Sequence, residues 1–349
     1  MREAALRFFV CPSCRADLTL SDVGERDGDH VKEGTLSCTG RRHQYPIVGY
    51  IPRFLEGETT AASFGFEWNR HPRTQLDSAT GMPLSRNRFE RSTNWGSDLS
   101  GQTVLEVGSG AGRFTEIALQ TGAQVFSVDA SRAVDANWRN NGHHPNLTLC
   151  QADLYHLPFR ENTFDNVFCF GVLQHTPDVR RSFETIARYP RLGGRLAVDV
   201  YNKDYWRNYH TPIYLLRHLT RHLPQEKLYR WIARAMPFLM QVSTSLRLVP
   251  GIGRWLSALV PIANYQGLLE TDSKELVEQW SVLDTFDTLS PRYISPHSPA
   301  TVSRWFRSAG YDEVEFDHET VFFMRAVRAV VPEREAVSAL KSALTAGTR

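Results

Sequence analysis

From Thr103 onward, short runs of β-branched and apolar residues alternate with longer stretches in which apolar residues recur every three or four positions. TVLEV, QVFSV, LTLCQ, FDNVFCF and RLAVDVY read as strands, and RFTEIALQTG, SRAVDANWRNNG and DVRRSFETIARY as the helices between them. This βαβ rhythm predicts a parallel sheet. Ser131 and Asp178 are suited to cap helix starts, and Gly122 and Gly142 to stop helices. SPATVSRWFRSAG, 298–310, carries Ser298 as cap, Pro299 at the first helical position and Gly310 past the end. Two last strands near EVEFD and VFFMRAV would close the sheet. Residues 202–290, rich in Leu, Arg and aromatics, interrupt the rhythm and read as a helical cap inserted into the core.

The expected division is therefore 1–55, a cysteine-bearing module; 56–100, a linker (GETTAAS, 57–63) followed by an aromatic and basic helical extension; 101–201 with 291–330, the α/β core; 202–290, the cap; and 331–349, a fraying tail.

Composition narrows the function classes. In 349 residues, 40 Lys+Arg against 38 Asp+Glu leave a net charge of +2, so no global field demands nucleic acid or membrane, and such partners must be sought in local clusters. Neither a leader peptide nor an 18-residue apolar run is visible, which predicts a cytoplasmic protein. Five cysteines argue against a disulfide framework.

The turn VLEVGSGAGRF, 104–114, holds Gly108, Gly110 and Gly112, and Arg113 stands where a dinucleotide fingerprint would place its third glycine. Glu106, two residues before the first glycine, suits a ligand with a free ammonium group better than a pyrophosphate. Asp129 ends the second strand and Asp153 follows the third, so with Glu106 three acids are expected at one crevice beyond the strand ends. S-adenosylmethionine offers donors to match: an ammonium, a ribose diol and an adenine amino group.

These residues, with the pair Ala152 and Asp153, the strand FDNVFCFGVLQH and the turn PRLGGRL, resemble the class I S-adenosylmethionine-dependent methyltransferases over about 101–201 and 298–328. The resemblance implies an α/β, doubly wound, mostly parallel seven-stranded sheet. It further implies that Glu106, Gly108, Ser109, Gly110 and Gly112 hold the methionine end, Asp129 with Ala130 the ribose, and Asp153 with Leu154 the adenine, Phe170 joining the same set. The pattern departs at YPRLGGRL, where Arg191 and Leu192 replace the usual lysine and proline; the surviving glycine pair is expected to keep the turn.

Methyl transfer depends on alignment and on exclusion of water, with a base where the acceptor is a hydroxyl or an acidic carbon. His175, beside Gln174 in GVLQHTPD, is the candidate catalytic base, its intrinsic pKa lying near neutrality; alternatively it packs or caps the next helix. GVLQHTPD resembles quinone-type and other small-molecule O- or C-methyltransferases rather than the NPPY-like turn of amine methylators.

Cys11 and Cys14 of CPSC, with Cys38 and His43, supply four soft ligands for a closed structural Zn2+ site, metal that would stabilise a segment too short for its own core. HQYPIVGYIPRF after the ligands resembles zinc-ribbon-like modules fused to some bacterial methyltransferases, rRNA methyltransferases among them, and Arg41, Arg42 and Arg53 could then touch phosphate. From 202 to 269, nine Lys or Arg face only Asp204 and Glu226 amid abundant Leu and aromatics. That composition fits a lid over the substrate, a peripheral membrane contact, or RNA binding, with leucine richness favouring an apolar partner over RNA. The sequence thus predicts methyl transfer to an oxygen or carbon of an apolar small molecule. An rRNA or tRNA base methyltransferase seated by the zinc module is the alternative, and an inactive binding subunit a further one.

Overall fold

The computed structural model describes residues 1–40, 42–55, 57, 61–204, 211–317 and 321–328; Arg41 and the expected tail lie outside them. The N-terminal module is a 3-10 turn, Glu3–Phe8, and an antiparallel sheet of β1 (Leu18–Asp27), β2 (His30–Cys38), β3 (Gln44–Val48) and β4 (Ile51–Pro52). Helices α1 (Ala62–Arg70), α2 (Asp77–Thr80) and α3 (Leu84–Thr93) follow, so the last two residues of the expected linker, Ala62 and Ser63, are already helical.

The core alternates β5 (Thr103–Val107), α4 (Arg113–Gln120), β6 (Gln124–Asp129), α5 (Ala133–Asn141), β7 (Leu147–Gln151), β8 (Phe164–Cys169), α6 (Val179–Ile186) and β9 (Pro190–Tyr201). The lid comprises α7 (Pro212–Thr220), α8 (Gln225–Arg247), α9 (Gly253–Ser257) and α10 (Lys274–Leu289). The chain then returns through α11 (Pro299–Ser308), β10 (Tyr311–Asp317) and β11 (Val321–Arg328). The seven-stranded order is β10-β11-β9-β8-β5-β6-β7. β5 to β9 run parallel, and β11 lies antiparallel to both its neighbours. The order reverses between β5 and β8, the point at which a doubly wound sheet opens a crevice beyond its strand ends.

Strand alternation divides the core into two layers. Val104, Val125, Leu149 and Phe168 face α3, α4 and α5, burying Phe89, Phe114 and Ile117. Leu105, Val107, Phe126 and Val128 face the other way, onto Phe183 of α6, Trp305 and Phe306 of α11, and the N-terminal module. Phe8 meets Phe126 at 4.4 Å and Phe9 meets Phe159 at 5.1 Å between ring centroids. Val10 N donates to Pro158 O and Phe54 N to Gln151 O. The module therefore shares the core of the α/β domain, a source of stability that its cysteines alone did not reveal. The lid has its own apolar cluster, in which Ile232, Met236 and Met240 of α8 meet Val282 and Phe286 of α10, with Phe66 of α1 packed against them.

Asp178 caps α6, accepting from Arg181 N, and Ser298 caps α11, accepting from Thr301 N. Ser131 Oγ accepts from Ala133 N one residue outside the position expected of it. The turn expected at Gly193 and Gly194 is instead a bulge within β9, which already pairs at Pro190; the register with β8 shifts between Phe164 and Asn166, and Gly193 takes φ +73°.

Candidate active site

The strand ends, the 3-10 turns and the lid enclose one cavity of about 560 Å³. Gly108, Ser109, Gly110, Asp129, Ala130, Asp153, Leu154, Phe170, Gln174 and His175 all line it. Gly108 has φ +85°, and an added Cβ would lie 2.1 Å from Val172 Cγ2, so the turn admits no side chain there. Asp129 holds the turn from β6: its Oδ2 accepts from Gly110 N at 2.9 Å, and its Oδ1 from Ser131 N and Oγ at 2.8 and 2.7 Å. A carboxylate has about four acceptor positions, so Asp129 retains capacity for a further donor. Asp153 opens the 3-10 turn Leu154–His156, its Oδ1 accepting from Tyr155 N at 3.1 Å. Ser109 and Gln174 are buried in the wall, and Ser109 Oγ and Gln174 Oε1 have no hydrogen-bond partner among the described residues. A cradle that admits only glycine at 108, strand-end acids and unpartnered wall oxygens fit a polar nucleoside ligand.

Two expected members stand outside. Glu106 does not line the cavity: it faces the α4/α5 side of the sheet, where its Oε2 accepts from Thr115 Oγ1 and, at 2.7 Å, from Ser127 Oγ. Alternation explains this, because Val107 takes the cavity side and Glu106 the opposite one. Burial pushes its pKa up to about 7, against the pull of the two hydroxyls. Gly112 is likewise absent from the lining. With φ +89°, its added Cβ would come within 2.2 Å of Asn137 Oδ1, so its smallness serves packing of α4 against α5.

His175 sits in the 3-10 turn Leu173–His175 with Phe64 and Tyr201 against its ring. Its Nδ1 lies 3.1 Å from Tyr293 O, which accepts from an Nδ1–H tautomer and leaves the Nε2 lone pair unengaged among the described residues. Burial lowers its pKa to about 4 rather than leaving it near neutrality.

The opposite wall is less apolar than expected. Arg88 of α3, Arg113 of α4, Tyr201 of β9, Tyr214 of α7, and Asp284 and Asp287 of α10 reach the cavity. Arg88 pairs with the buried Asp199, whose Oδ1 also accepts from Gly171 N at 2.6 Å. Sequence patterning did not bring these groups together because they come from five separate elements; the spacing of Asp284 and Asp287 on the apolar C-terminal half of α10 was the available signal.

In the module, the ligand atoms of Cys11, Cys14, Cys38 and His43 lie within 4.8 Å of one another. Cys11 Sγ is 3.2 Å from His43 Nδ1 and Cys14 Sγ 3.3 Å from Cys38 Sγ, and no disulfide joins them. Such edges suit a tetrahedral metal site with bonds of about 2.0–2.3 Å. Arg53, expected at phosphate, is committed to Asp135 and Gln151; burial of its head by the core removes it from an RNA surface. Arg42 remains exposed. No helix among the described residues is long and apolar enough to cross a membrane.

Comparison with known proteins gives two family matches. Residues 105–198 match the methyltransferase domain family and residues 4–49 the Trm112p-like protein family. The chain is 31% identical over 122 residues to the demethylmenaquinone methyltransferase of Thermobifida fusca, covering 34% of this chain and 52% of that protein. It is 31% identical over 110 residues to the ubiquinone biosynthesis O-methyltransferase of Coxiella burnetii, covering 31% and 47%. The chain thus spans about half the length of these curated relatives. A solved complex of the Haloferax volcanii Trm112 methyltransferase activator contains a chain that aligns at 14% identity with a TM-score of 0.45, covering 77% of this chain and 98% of that one. Residues 105–198 therefore form a methyltransferase domain, joined in one chain to an N-terminal Trm112p-like module.

Proposed function

We propose that the protein transfers a methyl group from S-adenosylmethionine to an oxygen or carbon of a small-molecule acceptor beneath the helical lid. The observation that carries this reading is the single cavity shared by the glycine turn, the strand-end acids and the lid residues Tyr214, Leu283 and Thr288. The cofactor supplies an electrophilic methyl group. Asp129 is suited to its ribose diol, Asp153 and Leu154 to its adenine, and Gly108 to Gly110 to its methionine end, with Ser109 Oγ free to bond. Phe170 offers an apolar wall. The lid helices and the aromatic side chains of the wall are suited to exclude water from the reacting pair.

For an acceptor that loses a proton, His175 is the candidate base: the carbonyl of Tyr293 fixes its tautomer, and Nε2 carries the lone pair. The Cys and His cluster is suited to structural Zn2+, since four protein ligands leave no open position. We take 1–55, 56–100, 101–201 with 291–330, and 202–290 as module, extension, core and lid.

Peripheral contact with anionic lipid is supported by the outer face of the lid. Trp255 is 72% exposed and Leu248 79%, beside Ile252 and Leu259, with Arg247 and Arg254 adjacent in sequence. Large apolar groups presented to solvent favour lipid over RNA, and the commitment of Arg53 weakens the RNA alternative further. Incubation of purified protein with labelled S-adenosylmethionine and candidate quinols or phenols tests the activity; cofactor binding without transfer to any acceptor would favour the inactive-subunit reading.

A further inference from the structure

The cavity wall opposite the glycine turn carries more negative charge than its neighbours offset. Asp284 and Asp287 stand one turn apart on α10 and line the cavity together with Tyr201, Tyr214 and Tyr265. Glu67 of α1 lies close enough for the three carboxylates to repel one another, is 0% exposed, and neither of its oxygens has a hydrogen-bond partner among the described residues. Asp287 Oδ1 is also unpartnered, and Asp284 Oδ2 accepts only from Tyr265 OH, at 3.0 Å. None of the three forms an ion pair among the described residues.

Among the described residues, the nearby cations do not complete the balance. Arg88 is matched by Asp199, and Arg113 gives its bonds to Ser85 and Gln75. Arg88 and Arg113 both favour the charged form of Asp284, and Arg88 that of Asp287, yet burial outweighs them at both residues, while burial pushes the Glu67 carboxyl well above the ordinary range and keeps it protonated. Buried charge without a partner is costly, and the penalty is relieved by a cation that enters with the ligand. The burial that raises both aspartates, to about 6, is the same penalty seen in their titration. A metal ion is the poorer occupant, because among the described residues only the Cys and His cluster brings ligand atoms to metal spacing. Tyrosine rings beside the carboxylates suit an organic cation, which gains from aromatic faces as well as from charge.

We propose that this wall recognises a protonated amine carried by the methyl acceptor, with Asp284 and Asp287 as its counter-charges and Tyr201, Tyr214 and Tyr265 as its aromatic surround. The inference rests on the reading of the cavity as a methyltransferase site. It narrows the acceptor from an apolar molecule to an amphiphilic one, whose amine anchors it while another atom receives the methyl group.

The test uses the full chain saturated with S-adenosylhomocysteine and two matched probe pairs, tyramine with 4-ethylphenol and octylamine with octanol, in calorimetric titrations at neutral pH. At least one amine should bind about tenfold or more tightly than its neutral partner. Asp287→Asn, which keeps the side-chain shape, should remove that preference while leaving S-adenosylhomocysteine affinity unchanged. Equal binding of amine and neutral probe, binding of neither amine, or a preference that survives in both Asp287→Asn and Asp284→Asn would overturn the proposal. A parallel loss of S-adenosylhomocysteine affinity would assign the carboxylates to the cofactor instead. If wild type fails to bind S-adenosylhomocysteine at all, the methyltransferase reading of the cavity falls first.

Discussion

Asp129 Oδ2 accepts a hydrogen bond from Gly110 N at 2.9 Å, so the acid ending the second core strand fixes the glycine turn that follows the first. The two residues come from adjacent strands, β5 and β6, and their contact converts two sequence signals into one wall of the cavity. Removing the carboxylate therefore does two things: it takes away an acceptor for ligand hydroxyls, and it loosens the turn.

Glu106 predicts a pH effect on stability. Its folded pKa, about 7, exceeds the ordinary value of 4.5, so between these limits the folded state holds a proton that the unfolded state has released. Stability contributed by this group is complete below about pH 4.5 and is lost as pH rises through 7. Buried His71 and His175, both lowered to about 4, act in the opposite sense over an overlapping range, so the comparison must be made between variants. Relative to wild type, Glu106→Gln should gain stability between pH 5 and pH 8, by an amount on the order of 2–3 kcal/mol. Denaturant unfolding at several pH values measures it; a difference independent of pH would refute the assignment.

The Cys and His cluster is linked to the cavity through Arg15, the residue after Cys14. Arg15 donates to Leu157 O at 2.9 Å and to Phe159 O at 2.5 Å, and Leu157 lines the cavity. Elemental analysis should find one zinc per chain. Cys14→Ser should lower the melting temperature and weaken S-adenosylmethionine binding a few-fold, because the carbonyls held by Arg15 lose their anchor. Metal-free protein with wild-type melting and affinity would contradict both statements.

His175→Ala should reduce turnover about 10²-fold while cofactor affinity holds, if the imidazole takes the acceptor's proton. Since burial keeps the ring neutral above about pH 4, the wild-type rate should already be flat between pH 6 and 8 on account of this group. Full activity in the alanine variant would leave His175 a packing role. A joint loss of stability and cofactor affinity would do the same.

Contact with lipid is testable by sedimentation with phosphatidylglycerol vesicles against phosphatidylcholine vesicles. Wild type should prefer the anionic vesicles, and Arg254→Ala with Trp255→Ala should cut that binding about tenfold. Indifference to lipid charge and to both substitutions would remove the membrane from the account.

Much of the architecture was legible because it is local. The alternation of short strands and amphipathic helices, the glycine spacing and the strand-end acids follow from backbone periodicity and turn chemistry, and Cys11, Cys14, Cys38 and His43 are brought together by two short motifs. What escaped depends on long-range placement. Strand alternation puts Glu106 on one face or the other, but only the position of Ser127 and Thr115 decides which face is the buried one. Docking of Phe8 and Phe9 on Phe126 and Phe159 joins residues more than a hundred positions apart. Asp284 and Asp287 reach the cavity only because α10 packs over the strand ends.

Calorimetric titration of wild type and Asp129→Ala tests most directly whether the cavity binds S-adenosylmethionine through the strand-end acids. One molecule should bind per chain, and the variant should bind more than about tenfold more weakly while its secondary structure remains intact, as loss of a charged acceptor for two hydroxyls requires. No binding to wild type, or equal affinity in the two proteins, would contradict the account.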